Sequence, residues 1–319
     1  MLTGPEWVVH AASQDLPCLA ELGLAPATLF DTELAGRLAG LPRVGLGPLV
    51  EQQLGLRLEK GHGAADWSRR PLPEEWMVYA ALDVEVLVEL RDLLAALLAE
   101  QGKLEWAAQE FEAVRTAGPP APRAEPWRRT SGIHRIRRPR QLAAVRALWE
   151  ARDRLAAERD IAPGRVLPDS AIVEAAVAAP ASTDALAVLP VFRGRSQRRL
   201  TAYWFGALEE AARLDAGQLP RAAAATEGPP PVARWTDRDP DAAARLAAAR
   251  DAVAGVGHQH AVPVENLLQP DLLRRLSWTP PAEGGVAEAM RAGGARPWQV
   301  ELLAPLLERA LRATAARTS

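Results

Sequence analysis

Cysteine is almost missing from these 319 residues. Cys18 stands alone, so no disulfide can form within the chain, and a reducing, cytoplasmic compartment is the expectation. No catalytic base accompanies Cys18, which reads as a small buried side chain. A basic leader is missing too: the opening MLTGPEWVVH has neither a basic n-region nor a long apolar run, so no secretory signal is expected. Long hydrophobic runs are also lacking. The most apolar stretch, Leu82 to Leu98, is broken by Asp83, Glu85, Glu89, Arg91 and Asp92, which predicts an amphipathic helix and no membrane partner. Net charge is missing as well. With 38 basic against 40 acidic residues, the total points to no partner.

What the chain does have is an uneven distribution of that charge. Residues 1–114 carry 8 Lys and Arg against 18 Asp and Glu, whereas residues 115–140 carry 8 against one. An acidic domain that gathers cations, followed by a basic stretch that meets phosphate, is the pattern this suggests. The length is that of two or three domains. Residues 1–114 read as mixed α/β. Strands are predicted at Trp7-Val8-Val9 and Leu29-Phe30-Asp31, and helices from Gln14 to Leu22 behind a Ser13 N-cap and from Pro48 to Leu54. One long helix is predicted from Glu74 to Glu100, on the stripe Leu82, Val86, Leu90, Leu93, Leu97. Basic, Pro-rich residues 115–138 read as a linker, 139–215 as a helical bundle, 216–238 as a second linker and 239–319 as a second bundle. The bundles share a faint repeat, Ala162-Pro163-x-x-x-Leu167 and Val262-Pro263-x-x-x-Leu267.

Three segments carry candidate chemistry. Tyr79 and Asp83 lie four apart on a predicted helix, hence on one face. A phenol beside a carboxylate can orient a water on a hard cation such as Mg²⁺ or Mn²⁺. Asp15 sits in the first turn of a helix just beyond a strand end, the usual place for sites in open α/β sheets. Each feature taken alone also suits a plain surface carboxylate or a dipole contact. Lys60, Trp67 and Arg70 bring basic and aromatic side chains together, a combination that neutralises phosphate and stacks on unpaired bases, though a surface loop has the same look. Arg193, Arg195, Arg198 and Arg199 also cluster and admit either reading.

Taken together, His10 to Asp15, Phe30-Asp31-Thr32, Gly45-Leu46, Asp66-Trp67 with Arg70-Pro71-Leu72, and Tyr79-x-x-x-Asp83 resemble the ribonuclease D family in order and spacing. Trp149, Arg152-Asp153, Ala156, Ile161-Ala162-Pro163 and Leu167-Pro168-Asp169 resemble an HRDC domain, the module that family shares with helicases. The resemblance covers nearly the whole chain. It implies a multidomain, α-rich protein: a partial ribonuclease H-like α/β exonuclease domain followed by two all-α HRDC-like bundles. It also implies metal-dependent removal of nucleotides from single-stranded RNA 3′ ends, tRNA precursors among them. Asp15 and Asp83 would hold Mg²⁺ or Mn²⁺, Tyr79 would position the attacking water, and His10, Gln14, Lys60, Trp67 and Arg70 would contact RNA.

One motif departs from the family. Its first Asp-x-Glu pair lies upstream of the segment matched here by His10 to Asp15, and no such pair precedes Asp15. Asp31-Thr32-Glu33 has the letters in the wrong place. The expectation is an N-terminally truncated chain with an exposed strand edge near Val8 and impaired cleavage. The competing reading is a nuclease remnant that binds RNA without cutting it, and a plain helical scaffold ranks last.

Overall fold

The computed structural model describes residues 4–58, 61, 65–118, 123–221 and 228–312. Backbone contacts divide the chain into two units, Met1–Pro120 with Glu227–Ser319, and Ala121–Thr226.

The first unit begins with two parallel strands, β1 (Glu6–Val9) and β2 (Thr28–Asp31), in register from Glu6 opposite Thr28 to Val9 opposite Asp31. Among the described residues β1 pairs with nothing else, so its outer edge is open. Helix α1 (Leu16–Glu21) joins the strands; α2 (Thr32–Leu38) and α3 (Leu46–Leu54) follow. Next come α4 (Glu74–Glu85), α5 (Leu87–Glu100) and α6 (Leu104–Thr116). The first predicted helix is corrected here. It starts at Leu16 with Asp15 as its N-cap, because residues 11–15 form a turn of their own (Gln14 and Asp15 N–H donate to Ala11 and Ala12 carbonyls) and Pro17 suits the first turn. Cys18 is exposed, not buried. The long helix is interrupted at Val86. The buried residues of α5 are Leu87, Leu90, Leu94 and Leu98, one residue out of step with the predicted stripe, while α4 buries none. Leu82 and Leu93 are exposed. Only α5 therefore packs a leucine face into the core, and α4 does not continue that face.

The C-terminal helices belong to this same unit. They are α13 (Trp235–Arg238), α14 (Pro240–His260), α15 (Val264–Leu267), α16 (Pro270–Trp278), α17 (Val286–Ala292) and α18 (Pro297–Arg312). One core runs through both parts, from Phe30, Leu38, Leu90, Leu94 and Phe111 to Leu246, Val253, Trp298, Leu303 and Leu307. Buried Lys103 tightens the junction: its Nζ donates to the Leu38 carbonyl (2.8 Å) and the His260 carbonyl (2.5 Å), at the C-terminal ends of α2 and α14. Unpaired carbonyls at helix C-termini attract a cation. Gly40, at φ 77°, fits because a Cβ there would overlap the Ala261 carbonyl. Residues 228–238, read from sequence as linker, fold onto this block through fully buried Trp235, whose Nε1 donates to the Pro230 carbonyl at 2.8 Å.

The second unit holds α7 (Pro139–Arg159), α8 (Pro163–Val166), α9 (Asp169–Ala178), α10 (Thr183–Ala187), α11 (Arg195–Arg198) and α12 (Thr201–Arg213) around Leu148, Ile172, Phe192 and Trp204. The faint sequence repeat has a structural counterpart. In each unit a 21-residue helix ends on a left-handed residue (Asp160, Ala261) and is followed by a one-turn helix and then a longer one. Among the described residues no helix is long and apolar enough to cross a membrane.

Candidate active site

The turn after β1 is organised around one buried carboxylate. Asp31, 3% exposed at the end of β2, accepts four backbone N–H groups. Its Oδ1 takes those of Ala11 (3.1 Å), Glu33 (2.9 Å) and Leu34 (3.2 Å), and its Oδ2 takes that of Ala12 (2.9 Å). Two of these donors are orphans at the start of α2, which Asp31 caps. The other two belong to the turn where Ala11 is held at φ 60°, a left-handed conformation costing an alanine about 1–2 kcal/mol. Burial pushes the Asp31 carboxyl up, and the four amides pull it back. Four converging N–H dipoles suit an anion and repel a cation, so Asp31 is no metal ligand. Glu33 is paired with Arg37 at 2.7 Å. Asp31-Thr32-Glu33 therefore does not replace the absent Asp-x-Glu pair.

The same turn carries His10 and Asp15. His10 Nδ1 lies 2.9 Å from the hydroxyl of fully buried Thr32. Burial lowers the His10 pKa, and Asp31, Glu33, Asp15 and Asp83 act against that as nearby negative charges. Asp83 is pushed up by burial and drawn back by His10. The fold thus brings Asp83, distant in sequence, into the electrostatic neighbourhood of His10, whose turn also carries Asp15. Asp15 makes no side-chain capping bond to α1, so its carboxylate is not consumed by the helix it begins.

Tyr79 and Asp83 lie on α4, whose outer side leaves Met77, Val78 and Val84 exposed. The Trp67 ring is 6.4 Å from that of Tyr79 and 5.4 Å from that of Trp76. Trp76 escaped the sequence reading; its position one helical turn before Tyr79 was the signal. Arg70 turns into its own loop, donating to the Trp67 carbonyl (2.9 Å) and the Arg69 carbonyl (2.8 Å). Gln14 is exposed beside the His10 turn. Lys60 lies outside the described residues. Among the described residues no three His, Cys, Asp or Glu side chains converge as a metal site. Asp15 and Asp83 are suitable hard oxygen donors for Mg²⁺ or Mn²⁺, but they do not make up a two-metal centre.

The half-buried histidine sets a pH dependence. A folded-state pKa below the unfolded value of about 6.5 means that the unfolded chain takes up the proton first as pH falls. The His10 contribution to stability is complete above that value and declines below it. His10→Gln, measured by urea midpoints at pH 7.5 and 5.5, is expected to lose less stability on acidification than the parent chain. Burial of Asp31 acts with the opposite sign in both proteins, and losing the His10 charge lets Asp83 rise further, which favours the variant on acidification in the same direction. Equal losses would remove His10 from this account.

Residues 1–99 match the model of the 3'-5' exonuclease family, residues 141–208 the HRDC domain, and residues 228–311 the 3' to 5' exonuclease C-terminal domain. The last block, expected to be HRDC-like, thus matches a different model, and its likeness to the first bundle rests on the shared helix order. Ribonuclease D of Gluconacetobacter diazotrophicus is 36% identical over 239 residues, covering 72% of this chain and 60% of that protein. Ribonuclease D of Acidiphilium cryptum is 39% identical over 186 residues, 56% of this chain and 46% of that protein. The chain therefore spans about half the length of the curated relatives it matches. Among solved structures, a protein from Bifidobacterium adolescentis superposes with a TM-score of 0.89 at 38% identity, covering 96% of this chain and 78% of that one. Escherichia coli RNase D, described as an exoribonuclease involved in structured RNA processing, gives 0.67 at 25% identity, covering 98% and 81%.

Proposed function

The chain belongs to the ribonuclease D family, and we propose on that premise that it acts at RNA 3′ ends as a 3′→5′ exoribonuclease scaffold with an incomplete metal site. The carrying observation is that His10, just after β1, feels the charges of both Asp15 in its own turn and Asp83 on the helix that bears Tyr79. In this reading Asp15 and Asp83 are the chain's cation ligands and Tyr79 orients water. The substrates are RNAs with single-stranded 3′ ends, such as tRNA precursors. His10, Gln14, Lys60, Trp67 and Arg70 line the RNA path, with Trp76 beside Trp67 adding aromatic surface on which an unpaired base can stack.

Asp31 with its four amides, and the lack of a third converging ligand among the described residues, favour impaired cleavage and hence a second reading: an RNA-binding remnant. One assay separates the two. The purified chain is incubated with 5′-labelled RNA in Mn²⁺ or in chelator, beside Asp83→Ala. Stepwise 3′ shortening that stops with chelator and with the variant supports catalysis. Binding that survives chelation and weakens with salt, without shortening, supports the remnant. Neither binding nor shortening would overturn both readings.

A further inference from the structure

Residues 123–138, expected to be a linker, form part of the second unit as a strap whose construction points to a ligand. Every third residue faces inward. Trp127, Thr130 and Ile136 are 3%, 3% and 7% exposed, and Ile133 packs at the edge of the same core. Two short 3₁₀ turns, Pro126–Arg129 and Ile133–Arg135, supply that three-residue period. The strap is also bolted down. The Ser131 N–H donates to Asp169 Oδ2 (2.7 Å), and the other oxygen of Asp169 accepts from buried Arg152 (2.6 Å). Burial alone would raise the Asp169 carboxyl; the Ser131 amide and Arg152 together hold it low. The Thr130 hydroxyl donates to the Trp127 carbonyl (2.7 Å), and the Arg128 guanidinium lies 4.3 Å from the Trp127 ring centre.

With positions 127, 130, 133 and 136 anchored, residues between and just after them are pressed outward. Arg129, His134, Arg135, Arg137 and Arg138 are all exposed. The strap's one carboxylate, Glu125, is taken by Arg128 at 2.6 Å. Arg129, Arg135, Arg137 and Arg138 form no ion pair with a carboxylate among the described residues. The whole second unit, residues 121–226, carries 18 arginines against 11 carboxylates, while the remainder of the chain is acidic. An ordinary solvated linker needs none of this anchoring, and a surface held rigid with its guanidinium groups uncompensated is preorganised for a polyanion.

We propose that the strap is a phosphate-backbone binding site for RNA, with Arg129, Arg135, Arg137 and Arg138 as its contacts. The choice of RNA among polyanions rests on the reading given under Proposed function. The test uses the full chain in chelator, so that cleavage plays no part. RNA affinity is measured against salt for the parent, for Arg135→Glu/Arg137→Glu/Arg138→Glu, and for Arg154→Glu/Arg159→Glu/Arg213→Glu. The control removes the same charge from exposed positions elsewhere in the unit. Losing three single-strand phosphate contacts should reduce the log–log salt slope by about 2, and the affinity near 0.1 M salt by up to about 100-fold. The control should keep most of its slope. Equal losses in both variants would mean diffuse charge attraction and overturn the site. So would an unchanged strap variant, or a parent chain that binds vesicles of anionic lipid and not RNA. Circular dichroism of both variants establishes that the unit is folded. A chain that binds through the strap yet never shortens RNA leaves this site standing and removes only the catalytic reading.

Discussion

Replacing Asp31 by alanine is expected to cost roughly 3–7 kcal/mol of stability and to dissolve the turn that presents His10 and Asp15. The variant leaves four N–H groups without their acceptor. Those of Ala11 and Ala12 are buried, and each unsatisfied buried donor costs about 1–3 kcal/mol. The Glu33 and Leu34 donors reach solvent more readily, so losing the cap adds about 1 kcal/mol. Against a domain stability of about 5–15 kcal/mol this is a large fraction. Asp31→Asn is the informative companion. Its carbonyl can still accept from Ala11, Glu33 and Leu34, but its amide nitrogen then faces the Ala12 N–H. A cost of about 1–3 kcal/mol follows from one mismatched buried donor. Denaturant midpoints order the three proteins as parent, Asp31→Asn, Asp31→Ala. A stable Asp31→Ala chain would mean that the carboxylate does not organise this turn.

The second large effect is expected at Glu110. This α6 carboxylate is buried, and burial raises its pKa, with Arg296 and Trp298 holding it down. Oε1 accepts from Trp298 Nε1 (3.0 Å) and Gln299 Nε2 (3.1 Å), and Oε2 lies 3.2 Å from an Arg296 guanidinium nitrogen. All three partners sit at the start of α18, where Trp298 also stacks on Trp106 at 4.8 Å. Glu110→Ala abandons a partly buried arginine and two side-chain donors, and roughly 3–5 kcal/mol is the usual cost of breaking a buried pair from one side. Removing both charges at once is milder, because no charge is then left alone. Glu110→Met with Arg296→Met is therefore expected to recover much of the loss. If the double change is as damaging as Glu110→Ala, the charge pair is not what latches α18 onto α6.

These two residues also show where sequence reading succeeds and stops. Strands at Val8 and Phe30 were legible because short apolar runs bounded by turn residues leave little alternative. Tyr79 and Asp83 were legible because helical spacing alone puts them on one face. The break at Val86 was not. No proline or glycine marks it, and it follows from which leucines of α5 are covered by β1, α2, α3 and α6, a tertiary matter. The roles of Asp31 and Glu110 depend on donors 19 and 189 residues away, Ala12 and Gln299, which no local pattern announces. The strap was misread for the opposite reason. Arginine and proline dominated its composition, while its period-three anchors Trp127, Thr130, Ile133 and Ile136 match neither the helix nor the strand template.

The most direct test of the proposed incomplete site is a Mn²⁺ titration of this chain followed by the electron paramagnetic resonance of the free ion. On the proposed ligand pair of Asp15 and Asp83, with Asp31 committed to four amides, fewer than two ions should bind per chain. They should bind weakly, and Asp83→Asn should abolish the binding. Two tightly held ions per chain, or binding untouched by Asp83→Asn, would contradict the account.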